Sequence, residues 1–299
     1  MSETPIARRV LERMRRQVRS KVVDLAAIRE GNEIAEALQN SVVPPQMLKD
    51  THPAHAIYVH VQHQMSVMAE QLLELPEMQA FAKILGEAHE EYMPSWPPMS
   101  PISHSYFWCW SSLDATANAH RETVGSVTLR VGAEFGVHPK MLALMRTFND
   151  SRMSVYRVEG HTDACVNLTD LVTNRPCSAV SPSGHLGIAG ELWFTRVLPP
   201  PLPGQSEHVV FTSPYVLLSP DTTGWSQYLD RMAAKDAPKP RVAALERHFK
   251  WGTSRRYWPE FVFEGYVNHL PGAIFLKGLP DVAASRPHSE EYVRHAQGR

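Results

Sequence analysis

The chain has only three cysteines among its 299 residues: Cys109, Cys165 and Cys177. An odd, irregularly spaced set builds neither a disulfide framework nor a paired-cysteine zinc site, and it fits a reducing cytoplasm. No run of about 18 or more apolar residues occurs, which excludes a transmembrane helix. The basic residues near the N-terminus are not followed by an apolar signal core, so secretion is not expected. Net charge is nearly absent as well. Thirty Lys and Arg against 31 Asp and Glu give −1, so no global basic field marks a nucleic-acid protein, and such a role needs a local patch. No internal repeat or long low-complexity linker is visible.

Proline and histidine are plentiful, with 24 and 15 residues. The prolines cluster at Pro94–Pro101, Pro199–Pro203 and Pro238–Pro240, the positions of connectors rather than of element interiors. A composition of 43% hydrophobic and 20% charged residues is that of a globular protein, and the length allows a sizeable core.

The first half of the pattern is helical. Ile6, Val10, Met14, Val18, Val22 and Leu25 recur at steps of three and four, and Arg8, Arg9, Arg15, Arg16 and Arg19 lie opposite with Arg13 on the edge. This predicts a basic amphipathic helix docked through its apolar stripe. Further helices are expected at Ile28–Gln39, at Ala54–Leu73, from Pro76 to Glu91, at Ala115–Gly132 and at Pro139–Phe148. The prolines between Tyr92 and Asp114 argue for a packed aromatic loop there. After Ser151 the period changes to two. "MSVYRVEG", "ACVNL", "ELWFTRVL" and "HVVFTSPYVLL" alternate or are β-branched and aromatic, with "TNRP" and "SPSG" as turns. Helical patterns return beyond Thr223, at Trp225–Met232, Val242–Phe249 and Pro259–His269, followed by a Gly- and Pro-broken tail.

These readings predict an α+β chain, mainly helical, with a small antiparallel β-barrel of SH3-like or OB-like type between about Met153 and Leu218. The expected regions are helical over 1–150, barrel over 151–220, and helical plus tail over 221–299, packed as one unit. Leu192, Phe194, Val210, Val216, Val166 and Leu168 are expected to face the barrel core. The segment "SRMSVYRVEG…VNLTDLVTNRP…GELWFTRVLP", about a quarter of the chain, resembles a segment of uncharacterised bacterial proteins, some of which also carry a SecA-C-terminal-type zinc motif. That motif is absent here, and the resemblance implies the barrel but no activity.

Four groups of residues carry chemistry that must be weighed. In "SAVSPSGHLGIAGELWFTRVLPPP", Ser181, Ser183 and His185 suggest a nucleophile, and Gly184, Gly187 and Gly190 suggest a phosphate loop. A phosphate loop needs a helix leaving it, whereas a strand leaves this one, and the Gly-x-Ser-x-Gly elbow is missing. The expectation is therefore turn and strand. Cys165 and Cys177 are expected on different strands as small buried apolar residues, the other reading being a pair joined by His161 or His185. His52, His55, His60 and His63 form the densest histidine cluster. His60 and His63 with Glu70 could present two imidazoles and a carboxylate to zinc or iron, with Glu87, Glu90 and Glu91 adding oxygens. No HExxH motif supports this, and no cofactor is predicted on the main reading.

The most coherent feature is basic. Arg8, Arg9, Arg16 and Arg19 on the first helix suit phosphate or carboxylate by charge and forked geometry. "RHFKWGTSRRYW" interleaves Arg247, Lys250, Arg255 and Arg256 with Phe249, Trp251, Tyr257 and Trp258, a mixture suited to stacking bases between cations. The sequence thus points to a cytoplasmic binding or adaptor protein for an acidic partner, either a protein or a single-stranded nucleic acid. The alternative is a metal-dependent enzyme built around His60 and His63.

Overall fold

A computed structural model of the chain describes residues 5–19, 51–92, 101–162 and 165–287. The helix expected at Ile28–Gln39 and the prolines Pro94–Pro98 lie outside these residues. Among the described residues there are nine α-helices and eight strands, and the fold is α+β with a small closed barrel. Contacts divide the chain into two compact units, Met1–Ile84 with Thr116–Asn149, and Leu85–Ala115 with Asp150–Arg299. The region read as helical over 1–150 is thus shared between them.

In the first unit, α1 (Ile6–Arg19) lacks a capping residue of its own. The Glu122 carboxylate accepts from the Ile6 N–H at 2.6 Å and the Ala7 N–H at 3.0 Å, a cap supplied from far along the chain. Helix α2 (Pro53–Leu73) starts on His52, whose Nδ1 accepts from the Ala54 N–H. After the turn at Pro76–Met78, α3 (Gln79–Tyr92) begins in this unit and continues into the other. Helix α5 (Val124–Glu134) carries a reciprocal capping box of Thr123 and Ser126, and α6 is Pro139–Asp150. The core includes Val10, Tyr58, Val61, Phe81, Val127, Met145 and Phe148, with Tyr58 edge-on to Phe148 at 5.2 Å. The stripe of α1 docks less far than its sequence predicts. Ile6, Ala7 and Val10 are buried and Met14 is half-buried, but Val18 is 75% exposed. The first turns make the contacts, on α5 and the Pro76–Met78 turn.

In the second unit, α4 (Pro101–Cys109) runs into a π-helical turn, Trp110–Asp114. A loop was expected here. Pro101 stands at the helix start, where its missing N–H has no partner to lose, so it permits the helix it would break elsewhere. The strands are β1 (Met153–His161), β2 (Cys165–Asp170), β3 (Pro176–Val180), β4 (Leu192–Leu198), β5 (His208–Val210) and β6 (Tyr215–Leu217). After α7 (Thr222–Lys235), α8 (Arg241–Trp251) and α9 (Tyr257–Glu264) come β7 (Tyr266–Leu270) and β8 (Ala273–Leu276). Strands β1-β2-β3-β5-β4 close on themselves because β1 also pairs with β4. Four pairings in the ring are antiparallel and one, β3 with β5, is parallel, so the barrel is mixed rather than purely antiparallel. From β4 the sheet extends through β6 and β8 to β7. That last hairpin occupies a stretch read as helix end and tail.

Tyr156, Val158, Val166, Leu168, Ala179, Trp193 and Val210 form the barrel interior. Val166, Leu168 and Val210 are where the sequence predicts them, and Val216 packs in the same cluster from β6, outside the ring. Leu192 and Phe194 are not where it predicts them. They lie on the other face of β4 with Met153 and Val155, packed on helices. Phe194 sits 4.9 Å from Trp258, which stacks on Phe249 at 5.0 Å and 7°. Burial on both faces of β4 removes the alternation by which a sequence shows which side faces in.

The "L-x-D-L-V-T-N" pattern is the turn between β2 and β3. Asp170 accepts from Ser154 Oγ at 2.6 Å, the Val172 N–H at 3.0 Å, Thr173 Oγ1 at 3.0 Å and Arg152 Nη2 at 2.9 Å. Asn174, at φ 55°, takes the left-handed position that Asn tolerates best after Gly. One carboxylate thus organises the hairpin and ties it to β1.

Candidate functional site

The first unit holds a cavity of about 430 Å³ lined by Pro5, His120, Arg121, Glu122, Ser126, Leu129 and Arg130. It lies where α1 and α5 begin. Arg121 sits at φ 54°, in the left-handed region that non-glycine residues seldom occupy. Glu122 is 8% exposed and is already engaged by the two α1 N–H groups and by Asn118 Nδ2 at 2.6 Å. The cavity therefore combines two guanidinium side chains and an imidazole with one carboxylate committed to the backbone.

Along α1 the arginines differ. Arg8 pairs with Glu12 at 2.9 Å, Arg13 with Glu77 at 3.6 Å and Arg15 with Glu134 at 2.5 Å. Arg9 is half-buried, and Arg16 and Arg19 are exposed at the helix C-terminus, where the helix dipole favours cations. Part of the basic face is thus paired within the unit, and its far end is displayed.

The C-terminal stretch is not the exposed basic-aromatic surface its sequence suggests. Phe249 and Trp258 are buried in the core, and Tyr257 and Trp251 are half-buried. Lys250 is enclosed. Its Nζ donates to the Ser151 carbonyl at 2.8 Å and lies 2.9 Å from Asp114 Oδ1, and burial pulls its pKa below the ordinary lysine value. Arg247 is 3.8 Å from Asp236, Arg256 pairs with Glu87 and Glu91, and Arg255 is exposed. The interleaving that looked like a stacking platform spans the end of α8 and the start of α9, whose Phe249 and Trp258 turn inward onto Phe194 of β4.

Lys250 belongs to a group that sequence reasoning missed. Arg196, 0% exposed, pairs with Asp114 and donates to the Ser151 carbonyl at 2.8 Å and to Ser151 Oγ at 2.7 Å. The available signal was an arginine inside an otherwise apolar strand, but its partner stands 82 positions away.

His60 and Glu70 are exposed and His63 is half-buried. No group of three or more His, Cys, Asp or Glu side chains among the described residues is placed to hold a metal ion. Burial and the neighbouring His52 pull His55 down to about 4, and burial with His60 lowers His63. Cys165 faces Val180 and Cys177 faces Leu168 across the β2–β3 pair, so the two thiols are three register positions apart and do not meet. Burial pushes Cys109 up to about 12 and Cys177 up to about 11, which leaves both as thiols. Ser181, Ser183 and His185 occupy the β3–β4 connection. Ser181 Oγ donates to the His185 carbonyl at 2.6 Å, and Ser183 Oγ accepts a long bond from the His185 N–H, so both hydroxyls brace the turn. A strand, β4, follows Gly190. Comparison with family models, with curated proteins and with solved structures gives no match.

Proposed function

We propose that this is a binding protein for an acidic partner protein, recognised through the basic surface of the first unit. The observation that carries this reading is the cavity at the start of α1 and α5, whose lining sets Arg121, Arg130 and His120 around a single carboxylate, Glu122. Arg16 and Arg19 extend the basic character to the other end of α1. Guanidinium forks suit carboxylates bidentately. A single-stranded nucleic acid is the weaker fit, because the aromatic residues that would stack bases beside cations are partly or wholly buried in the second unit.

The test is fluorescence anisotropy with a labelled polyglutamate peptide and a labelled oligothymidylate. The native protein is compared with Arg121→Gln/Arg130→Gln and with Arg16→Gln/Arg19→Gln at two salt concentrations. The expected result is peptide binding that weakens by about fivefold or more in the first double variant and falls with salt. Preference for the oligonucleotide with a steep salt slope would move the partner to nucleic acid. Binding of neither probe, or binding unchanged in both variants, would overturn the reading.

A further inference from the structure

The second unit contains a larger cleft, of about 690 Å³, which the reading above does not use. Its walls come from the β3–β4 connection, from β6 and the start of α7, and from Phe275 on β8. Two large apolar side chains line it while facing water: Ile188 is 75% exposed and Leu218 is 53% exposed. The ionisable side chains lining it are His185, Glu191 and Asp221, and neither lysine nor arginine is among them.

The wall that carries His185 and Glu191 is fixed. Glu191 Oε2 accepts from the Ile188 N–H at 2.8 Å, and Glu191 Oε1 lies 3.2 Å from His185 Nε2. The Gly190 N–H donates to the Val158 carbonyl at 2.8 Å, which ties the loop to β1. Gly187, at φ 67°, allows the loop to lie this close. A Cβ there would stand 2.7 Å from both Glu191 Oε2 and the Trp193 ring. Burial acts against the Glu191 charge, but the hydrogen bonds from His185 and Ile188 outweigh it and hold the carboxyl below its usual range. Asp221 caps α7 by accepting from the Gly224 N–H at 3.0 Å, and its full negative charge exceeds the partial positive charge of the helix end.

We infer that this cleft binds a small organic cation, an amine carried on an apolar body. Ile188, Leu218 and Phe275 would cover the body, and the ammonium group would face Glu191 and Asp221. The volume lies in the range of small-molecule sites, and such sites pair apolar walls with a few fixed polar groups. Charge decides between ligands of the same shape. A carboxylate-bearing ligand would meet two carboxylates with no lysine or arginine in the lining and with the one imidazole, His185, already turned to Glu191, and a neutral ligand would gain nothing from the carboxylates.

Three ligands with one indole body separate these cases: tryptamine as the cation, indole-3-ethanol as the neutral form and indole-3-propionate as the anion. Binding to the full chain is followed by ligand-observed NMR and calorimetry. Tryptamine is expected to bind at least about fivefold more tightly than the alcohol, with no binding of the propionate. Glu191→Gln should remove most of that preference. Because that substitution also disturbs the loop, Asp221→Ser, which keeps a helix cap, and Ile188→Ser, at an exposed position, serve as second variants. The first should lower only the cation's advantage, and the second should weaken cation and alcohol alike. Equal binding of cation and alcohol, a preference for the propionate, or no binding of tryptamine at millimolar concentration would each overturn the inference. So would a tryptamine affinity unchanged in all three variants.

Discussion

Arg196 in the second unit and the arginines of α1 in the first are used in opposite ways. In the second unit Arg196 is wholly enclosed, its guanidinium held by Asp114 and by both oxygens of Ser151, with Lys250 on the same carboxylate. In the first unit Arg16 and Arg19 stand in water at the end of α1, while Arg8, Arg13 and Arg15 pair with carboxylates on or near the surface. A buried charge leaves no inexpensive way to lose its partner, so the enclosed group serves the fold. An exposed charge contributes little to stability and remains available for recognition.

The largest expected effect tests the enclosed side of this contrast. Asp114→Ala strands two buried cations at once, so it should destabilise the protein by about 5 kcal/mol, the upper end for a broken buried pair, or prevent folding. Urea denaturation measures it. A loss under about 1 kcal/mol would show that water reaches the group and would erase the distinction between the units' arginines.

A slightly smaller effect concerns β4, where both faces are buried. Phe194→Ala and Trp193→Ala should each cost roughly 3–5 kcal/mol, because one removes a ring packed on Trp258 and the other empties the barrel interior. If only Trp193→Ala destabilises, the packing of the outer face on α8 and α9 is not what holds the second unit together.

Next comes a pH dependence present in both units. Burial pulls His248 down to about 4 while Tyr228 Oη sits 2.7 Å from its Nε2, and His55 is likewise near 4. In the unfolded chain each titrates near 6.5, so above that pH both states are neutral and the stability is complete. As the pH falls from about 6.5 towards 4 the unfolded state takes the proton first, and stability is lost by about 3 kcal/mol per histidine. His248→Gln and His55→Gln should each flatten the slope of unfolding free energy against pH in that window. A slope left unchanged by either would mean that this imidazole already titrates normally in the fold.

The α+β class and the barrel's position were legible because the change from helical period to period two happens once, at Ser151, and covers most of the strands. The hairpin β7–β8 was not, since Val267, Asn268, His269 and Leu270 are all exposed and show no alternation. The inward face of β4 was hidden by burial on both sides. At the candidate sites, the exposed arginines at the C-terminal end of α1 could be read from periodicity. The cavity residues Arg121 and Arg130 and the acidic cleft could not, because they are assembled by a left-handed residue, a long-range cap and a glycine turn. Composition reads "RHFKWGTSRRYW" as a surface, and packing turns its aromatic half inward.

The smallest effect lies within α1 and separates docked from displayed turns on one helix. Val10 is 0% exposed and Val18 is 75% exposed, eight positions apart on the same predicted stripe. Val10→Ala removes buried methyl groups and should cost roughly 2 kcal/mol. Val18→Ala removes nothing from contact, and alanine is the better helix former by a few tenths of a kcal/mol, so stability should stay level or rise within about 0.5 kcal/mol. Paired urea titrations of the two variants give the difference directly. Equal losses would mean that the last turn of α1 is covered in solution, and that Arg16 and Arg19 beside it are not open to a partner.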